Sequence, residues 1–220
     1  TATTEIYTLS LQTLFRSIAM VIFAPLNANQ KSGCVLAQKG PITVAWKAYK
    51  TPLKIGVGGV FDDVKYTAVA PEGKNFREIL VGSRVAIDTR KVNSKNKARD
   101  EKLYNSFFKQ MNIQGIKAKI VDIKADEKLT KAKGKIRTGI IAVEIDMNGI
   151  TKTVPMKYSF SDGIFDAKGV IDIFDFSAHK ALTSINKACH DLHKGKTWSD
   201  VNISFTTKIE AIVCNVKPLK

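Results

Sequence analysis

The chain has 220 residues, 44% hydrophobic and 25% charged, a globular composition that excludes a disordered or collagen-like protein. It carries 35 Lys and Arg against 20 Asp and Glu, a formal net charge of +15, which draws it to polyanions, either nucleic acid or an anionic membrane surface. Most of that excess is Lys, a point charge, whereas bidentate phosphate or base recognition favours Arg.

In chain order, Arg16 precedes an apolar run over residues 17–26, followed by Asn27, Ala28 and Asn29. The run is shorter than the about 20 residues of a membrane helix and has the length of a signal-peptide core, with a cleavage point near Ala28. We therefore divide the chain into residues 1–30, a leader-like or capping segment, and residues 31–220, one β-barrel domain.

From Cys34 onward the apolar period is two, the period of strands. Residues 41–49 set Val44, Trp46 and Ala48 against Thr43, Lys47 and Tyr49. A second strand is expected over 57–66, with Gly56, Gly58 and Gly59 marking a bend or close approach. A third is expected over 76–88, from the alternation of Ile79, Val81, Ser83, Val85 and Ile87. Ile116, Ala118 and Ile120 alternate with Lys117 and Lys119 in a fourth. Residues 136–147 form a fifth, ending at Asn148-Gly149, a strong hairpin signal. Residues 151–160 follow, turn at Asp162-Gly163, and continue as a strand over 165–174. Residues 201–213 form the last. Residues 96–108 and 177–192 read as helices, the second capped by Ser177 and followed by Gly195.

The expected fold is all-β, an eight- to nine-stranded antiparallel lipocalin-like barrel with one or two short helical inserts. Such a barrel is just wide enough to be filled by side chains or to hold one small ligand.

The chemistry-bearing residues are few. Cys34, Cys189 and Cys214 form no C-x-x-C pair, which excludes zinc-ribbon, thioredoxin-type and haem-attachment motifs. One disulfide and one free thiol would suit an oxidising compartment. Cys34 and Cys214 would be neighbours if the first and last strands pair, and three unpaired thiols is the alternative. His179, Cys189, His190 and His193 lie on one helical stretch, and His190 and His193, three apart, can share a face and bind a metal. No acidic residue completes an H-E-x-x-H motif, and no G-x-S-x-G or phosphate loop is present. Gly56-Val57-Gly58-Gly59 precedes a strand, so it lacks the helix that a phosphate loop needs. We assign no catalytic residue, no metal ligand and no cofactor, and expect no enzyme. A metal- or haem-linked redox or stress protein using Cys189, His190 and His193 is the alternative. A second is a basic nucleic-acid-binding barrel. Against it, Trp46, Tyr158, Phe160 and Phe205 fall on the apolar side of their strands, away from the lysines.

The order of several short motifs carries a resemblance. Arg99, Asp100, Leu103, Phe107 and Phe108 stand after a strand ending in Ile87-Asp88-Thr89. Met147 to Val154 forms a hairpin containing Gly149-Ile150-Thr151-Lys152. Phe174-Asp175-Phe176 and Ser199-Asp200-Val201-Asn202-Ile203 follow. Over residues 34–213 this resembles the YceI-like, lipocalin-like family, although the Arg that usually precedes the Asp-Phe pair is missing. Residues 182–198 resemble a feature of exported bacterial members.

The resemblance implies an extended barrel with a hydrophobic tunnel for a polyisoprenoid, fatty acid or fatty amide. It also implies a periplasmic setting in bacteria, often as a homodimer, without catalysis. The expected function is that of a lipid-binding protein, with an anionic membrane surface as a further partner and no nucleic acid. The candidate wall is Val44, Trp46, Phe61, Val81, Val85, Ile141, Val143, Met156, Tyr158, Phe160, Ile173 and Phe205. Tyr104, Phe107 and Phe108 are expected to lid it, and Arg99 and Asp100 to hold the head group.

Overall fold

The structure, a computed structural model, describes residues 34–126 and 136–214. The leader-like segment 1–30 lies outside them. Among the described residues ten strands and four short helices follow in chain order. They are β1 (Cys34–Lys50), β2 (Ile55–Phe61), β3 (Lys65–Thr67), α1 (Phe76–Leu80), β4 (Arg84–Ile87), β5 (Val92–Asn93) and α2 (Lys97–Ser106). Then come β6 (Ile116–Ala125), β7 (Arg137–Met147), β8 (Ile150–Ser161), β9 (Ile164–Asp172), α3 (His179–Ala188), α4 (His190–His193) and β10 (Asp200–Cys214). Among the described residues no helix is long and apolar enough to cross a membrane.

All ten strands form one antiparallel sheet in the order β3-β4-β6-β7-β8-β9-β10-β1-β2-β5. β3 stands at one end of that order and β2 next to the other, yet only residues 62–64 separate them in the chain. So short a connection spans at most about 14 Å, so the sheet must curl until its two ends meet. The fold is thus the expected lipocalin-like barrel, with β3 and β5 as two short additional strands.

Local chemistry sets the register. Asn148 (φ 57°) and Gly149 (φ 80°) make the two-residue turn that pairs Met147 with Ile150. Asp162 (φ 51°) and Gly163 (φ 78°) do the same for Ser161 and Ile164. Positive φ at both central positions matches the twist of the flanking strands, and Asn, Asp and Gly tolerate it best. The alternation then buries Ile141, Val143, Ile145 and Met147 on β7 and Val154, Met156 and Tyr158 on β8. The first and last strands pair from Cys34 opposite Cys214 to Lys47 opposite Asn202.

Four sequence expectations are corrected. The stretch 76–88 is not one strand. Phe76, Ile79 and Leu80 recur at helical spacing and are buried together, and Asn75 accepts the Glu78 N–H as a cap. The strand begins only at Arg84, after Gly82 turns the chain at φ 102°. The second strand is broken at residues 62–64, where Asp63 adopts φ 55°. Ser177 does not cap α3. It sits in the left-handed region at the end of a 3-10 turn (Ile173–Phe176), and Ala178, without a side-chain hydrogen bond, precedes the helix. The second helix is two, separated at Cys189.

One end of the interior is filled with rings. Phe165 stacks on Tyr158 at 4.9 Å and on Phe205 at 5.7 Å. Phe76, supplied by α1, meets Phe160 at 5.0 Å, Phe165 at 5.4 Å and Tyr158 at 6.1 Å, each edge-on. Edge-to-face and offset-stacked geometries are the favoured ones for aromatic pairs.

Candidate functional site: an apolar cavity with a basic mouth

The remainder of the interior is hollow. A cavity of about 460 Å³ lies under α2, α3 and α4, and a second of about 110 Å³ lies deeper, between β1, β4, β6 and β7. Trp46, Phe61, Ile116, Met147, Ile171 and Ile203 line both, so they are adjoining lobes of one interior. The larger lobe alone falls within the 300–1,000 Å³ range of small-molecule sites.

The deep lobe is walled by alternate strand residues, among them Val44, Val85, Val143, Met156 and Phe205. Its apolar wall contains Tyr66, whose hydroxyl burial pushes above the ordinary tyrosine range while nearby Ser83 pulls weakly the other way. Neither the Tyr66 hydroxyl nor the Trp46 indole N–H has a hydrogen bond of normal geometry among the described residues. The Trp46 ring can lie where it does because Gly59 has no side chain. A Cβ there would come within 2.9 Å of the ring and 2.4 Å of the Asn93 carbonyl oxygen.

The larger lobe is roofed by helices. Leu103, Phe107 and Phe108 come from α2 and the turn after it, Leu182 and Ile185 from α3, and Cys189 from the break between α3 and α4. Phe108 is edge-on to Phe61 at 5.9 Å and to Phe107 at 5.1 Å. Lys50, Arg99, Lys102 and His193 also line this lobe, and no Asp or Glu among the described residues does. Lys50 ends β1, Arg99 and Lys102 are three apart on α2, and His193 ends α4. Lys50 and His193 are tied together through Thr197, which bridges to Lys50 in a β-pair and meets His193 Nδ1 through its hydroxyl at 2.7 Å. Burial, then the charges of Lys50 and Lys102, holds His193 below the ordinary imidazole range.

The hairpin after β1 is fastened to this rim. The Thr51 N–H donates to the Lys196 carbonyl at 2.9 Å, the Trp198 N–H to the Tyr49 carbonyl at 3.0 Å, and the Trp198 indole N–H to the Thr51 carbonyl at 2.9 Å. Lys54 and Lys196 each place an ammonium 4.8 Å from the Trp198 ring. Leu53, 81% exposed, and Leu192, 66% exposed, project nearby.

The sequence-selected residues divide as follows. Val44, Trp46, Phe61, Val85, Val143, Met156 and Phe205 line the deep lobe or both lobes. Arg99, Phe107, Phe108 and Ile173 line the larger one. Six line neither. Tyr158 and Phe160 belong to the aromatic fill around Phe76, and Ile141 is fully buried. Val81 ends α1, Tyr104 donates its hydroxyl to Gln114 at 3.2 Å, and the Asp100 carboxylate accepts the Ser94 N–H at 2.8 Å.

The Cys189, His190 and His193 group is dispersed. Cys189 is buried, His190 is exposed beside Asp191, and His193 faces the cavity. Among the described residues no three His, Cys, Asp or Glu side chains converge as metal ligands would.

Sequence reasoning missed Lys50, Lys102 and Trp198, and read Cys189 and His193 as a possible metal group rather than as cavity lining. It also missed Leu182 and Ile185, whose helical spacing with Cys189 was a readable signal of a buried stripe.

Comparisons with known proteins agree with this architecture. A polyisoprenoid binding domain from Saccharophagus degradans matches with a TM-score of 0.52 over 81% of this chain and 98% of its own, at 12% identity, which shows a shared fold. Burkholderia cenocepacia BcnA matches at 0.48, with 14% identity over 77% and 96%. A Campylobacter jejuni YCEI protein matches at 0.46, with 17% identity over 71% and 85%. A comparison with curated proteins returns no match. The family model described as a YceI-like domain matches residues 38–209, which is most of the described barrel, and the chain therefore belongs to the YceI-like family.

Proposed function

We propose that the protein is a non-catalytic carrier that holds one long apolar lipid, a polyisoprenoid or a fatty chain, inside the barrel. The observation that carries this reading is the two-lobed interior, walled by apolar side chains and reaching a rim of basic ones. Each buried methylene contributes about 0.8 kcal/mol. A chain of ten to fifteen carbons therefore supplies roughly the 8 kcal/mol of micromolar binding and leaves a margin for ordering costs. The polyisoprenoid named for the Saccharophagus degradans domain is the first ligand class to try.

The proposal extends to loading from a membrane. Leu53 and Leu192 beside Lys54, Lys194 and Lys196 combine exposed apolar side chains with cations at the rim, the combination that favours an anionic lipid surface. The protein is expected to bind anionic vesicles in a salt-sensitive way and neutral vesicles weakly. A periplasmic location and a homodimer complete the proposal, and sedimentation of the purified protein and fractionation of the source cells check them.

Native mass spectrometry of freshly purified protein, followed by organic extraction, tests the central reading. A stoichiometric long-chain lipid is expected. Empty protein that also takes up no added isoprenoid or fatty chain sinks it.

A further inference from the structure

The mouth of the larger lobe combines three observations that apolar cargo alone does not require. Among the described residues its lining contains Lys50, Arg99, Lys102 and His193 and not one carboxylate. The acid next to Arg99 on α2, Asp100, is turned to the Ser94 N–H. Among the described residues, Lys50, Arg99 and Lys102 form no ion pair, although other surface cations find Asp88, Asp122, Asp166, Asp200 and Glu210. These groups reach the mouth from three separate elements, a strand end and two helices. Thr197 links two of those elements directly.

Like charges brought together without a counter-ion repel one another, and their cost falls when an anion sits among them. Burial first, and then the charges of Lys50 and Lys102, lower the proton affinity of His193, which is the direction such repulsion takes. A neutral head group would leave it in place. A carboxylate or phosphate would relieve it and accept charge-assisted hydrogen bonds from the guanidinium and ammonium groups.

We propose that this mouth is an oxyanion head-group site, so that the cargo is an anionic amphiphile with its tail in the two lobes and its carboxylate or phosphate between Lys50, Arg99 and Lys102. This rests on the carrier reading and adds the charge of the cargo to it.

Calorimetric titration with matched pairs tests it: farnesyl phosphate against farnesol, and palmitic acid against hexadecanol, each below its aggregation limit. The wild-type protein is expected to bind the charged member of at least one pair about tenfold more tightly or better, the worth of one charge-assisted hydrogen bond. Which pair shows the preference tells a phosphate site from a carboxylate site. The double variant Lys50→Gln/Lys102→Gln is expected to lose most of that ratio while its affinity for the neutral member stays within about twofold. Its thermal unfolding midpoint, measured alongside, confirms that it is folded. Lys102→Arg, which keeps the charge, is expected to retain the ratio.

Equal affinity for both members in the wild type, or a preference that survives in the double variant, overturns the head-group site and leaves the carrier reading standing. Displacement of farnesyl phosphate by an equal concentration of inorganic phosphate overturns it too, because the tail would then play no part. No binding of any of the four amphiphiles overturns both readings together.

Discussion

The two ends of the barrel obey the same alternation of inward and outward residues, yet one is solid and the other hollow. At the solid end, α1 inserts Phe76 among Tyr158, Phe160 and Phe165, and the rings fill the space. At the hollow end, α2, α3 and α4 lie over the opening, and their side chains line a cavity of about 460 Å³ instead of filling it. The difference comes from helices placed between strands. Strand periodicity alone does not separate a packed core from a binding cavity.

Substitutions sharpen that contrast. The largest effect is expected from Phe165→Ala. Phe165 is fully buried and stacked on two rings, so about 3–5 kcal/mol of stability should go. Urea denaturation measures it, and a loss below about 1 kcal/mol would show that the solid end is not tightly packed.

Adding volume should then tell the two ends apart. Ala167→Leu at the solid end, where Ala167 is fully buried, is expected to cost about 1–3 kcal/mol through overpacking. Ile203→Phe, at the junction of the two lobes, is expected to cost less than about 1 kcal/mol, because the ring enters open space. It should also weaken lipid uptake about tenfold or more, since a ring there displaces several methylenes of cargo. Similar stability losses for both variants would break the comparison.

The smallest effect concerns pH. Burial and the charges of Lys50 and Lys102 depress His193 in the folded state. As pH falls through about 6.5 the unfolded chain takes the proton first. The stability His193 contributes is therefore complete above about 6.5 and is lost as pH falls through its lower folded value. Thermal midpoints of the wild type and His193→Gln should converge in slope above pH 7. Below pH 6.5 the wild type should lose stability more steeply.

Much of this was legible beforehand. Asn148-Gly149 and Asp162-Gly163 state their turns chemically, and the runs between them bury every second residue as the period requires. The stretch 76–88 deceived because Ile79, Val81, Ser83, Val85 and Ile87 alternate like a strand, while Phe76, Ile79 and Leu80 also fit a helix. The Asn75 cap decided between them. The basic mouth was illegible for a different reason. Lys50, Lys102 and His193 lie on segments far apart in the chain, and each alone reads as an ordinary polar surface residue. Only the curled sheet and the helices over it bring them together.

The pairing of β1 with β10 sets an order of events in synthesis. β1 is the first strand of the barrel to be made and β10 the last, and their ladder joins Cys34 to Cys214. Until residues 200–214 exist, β1 and β9 present bare edges and the wall containing Ile203 and Phe205 is missing. Contacts this distant in sequence form slowly, and exposed edges meanwhile invite pairing between chains. A nascent chain that lacks β10 therefore has no walled cavity to load, and cargo can enter only once β10 has paired with β9 and β1.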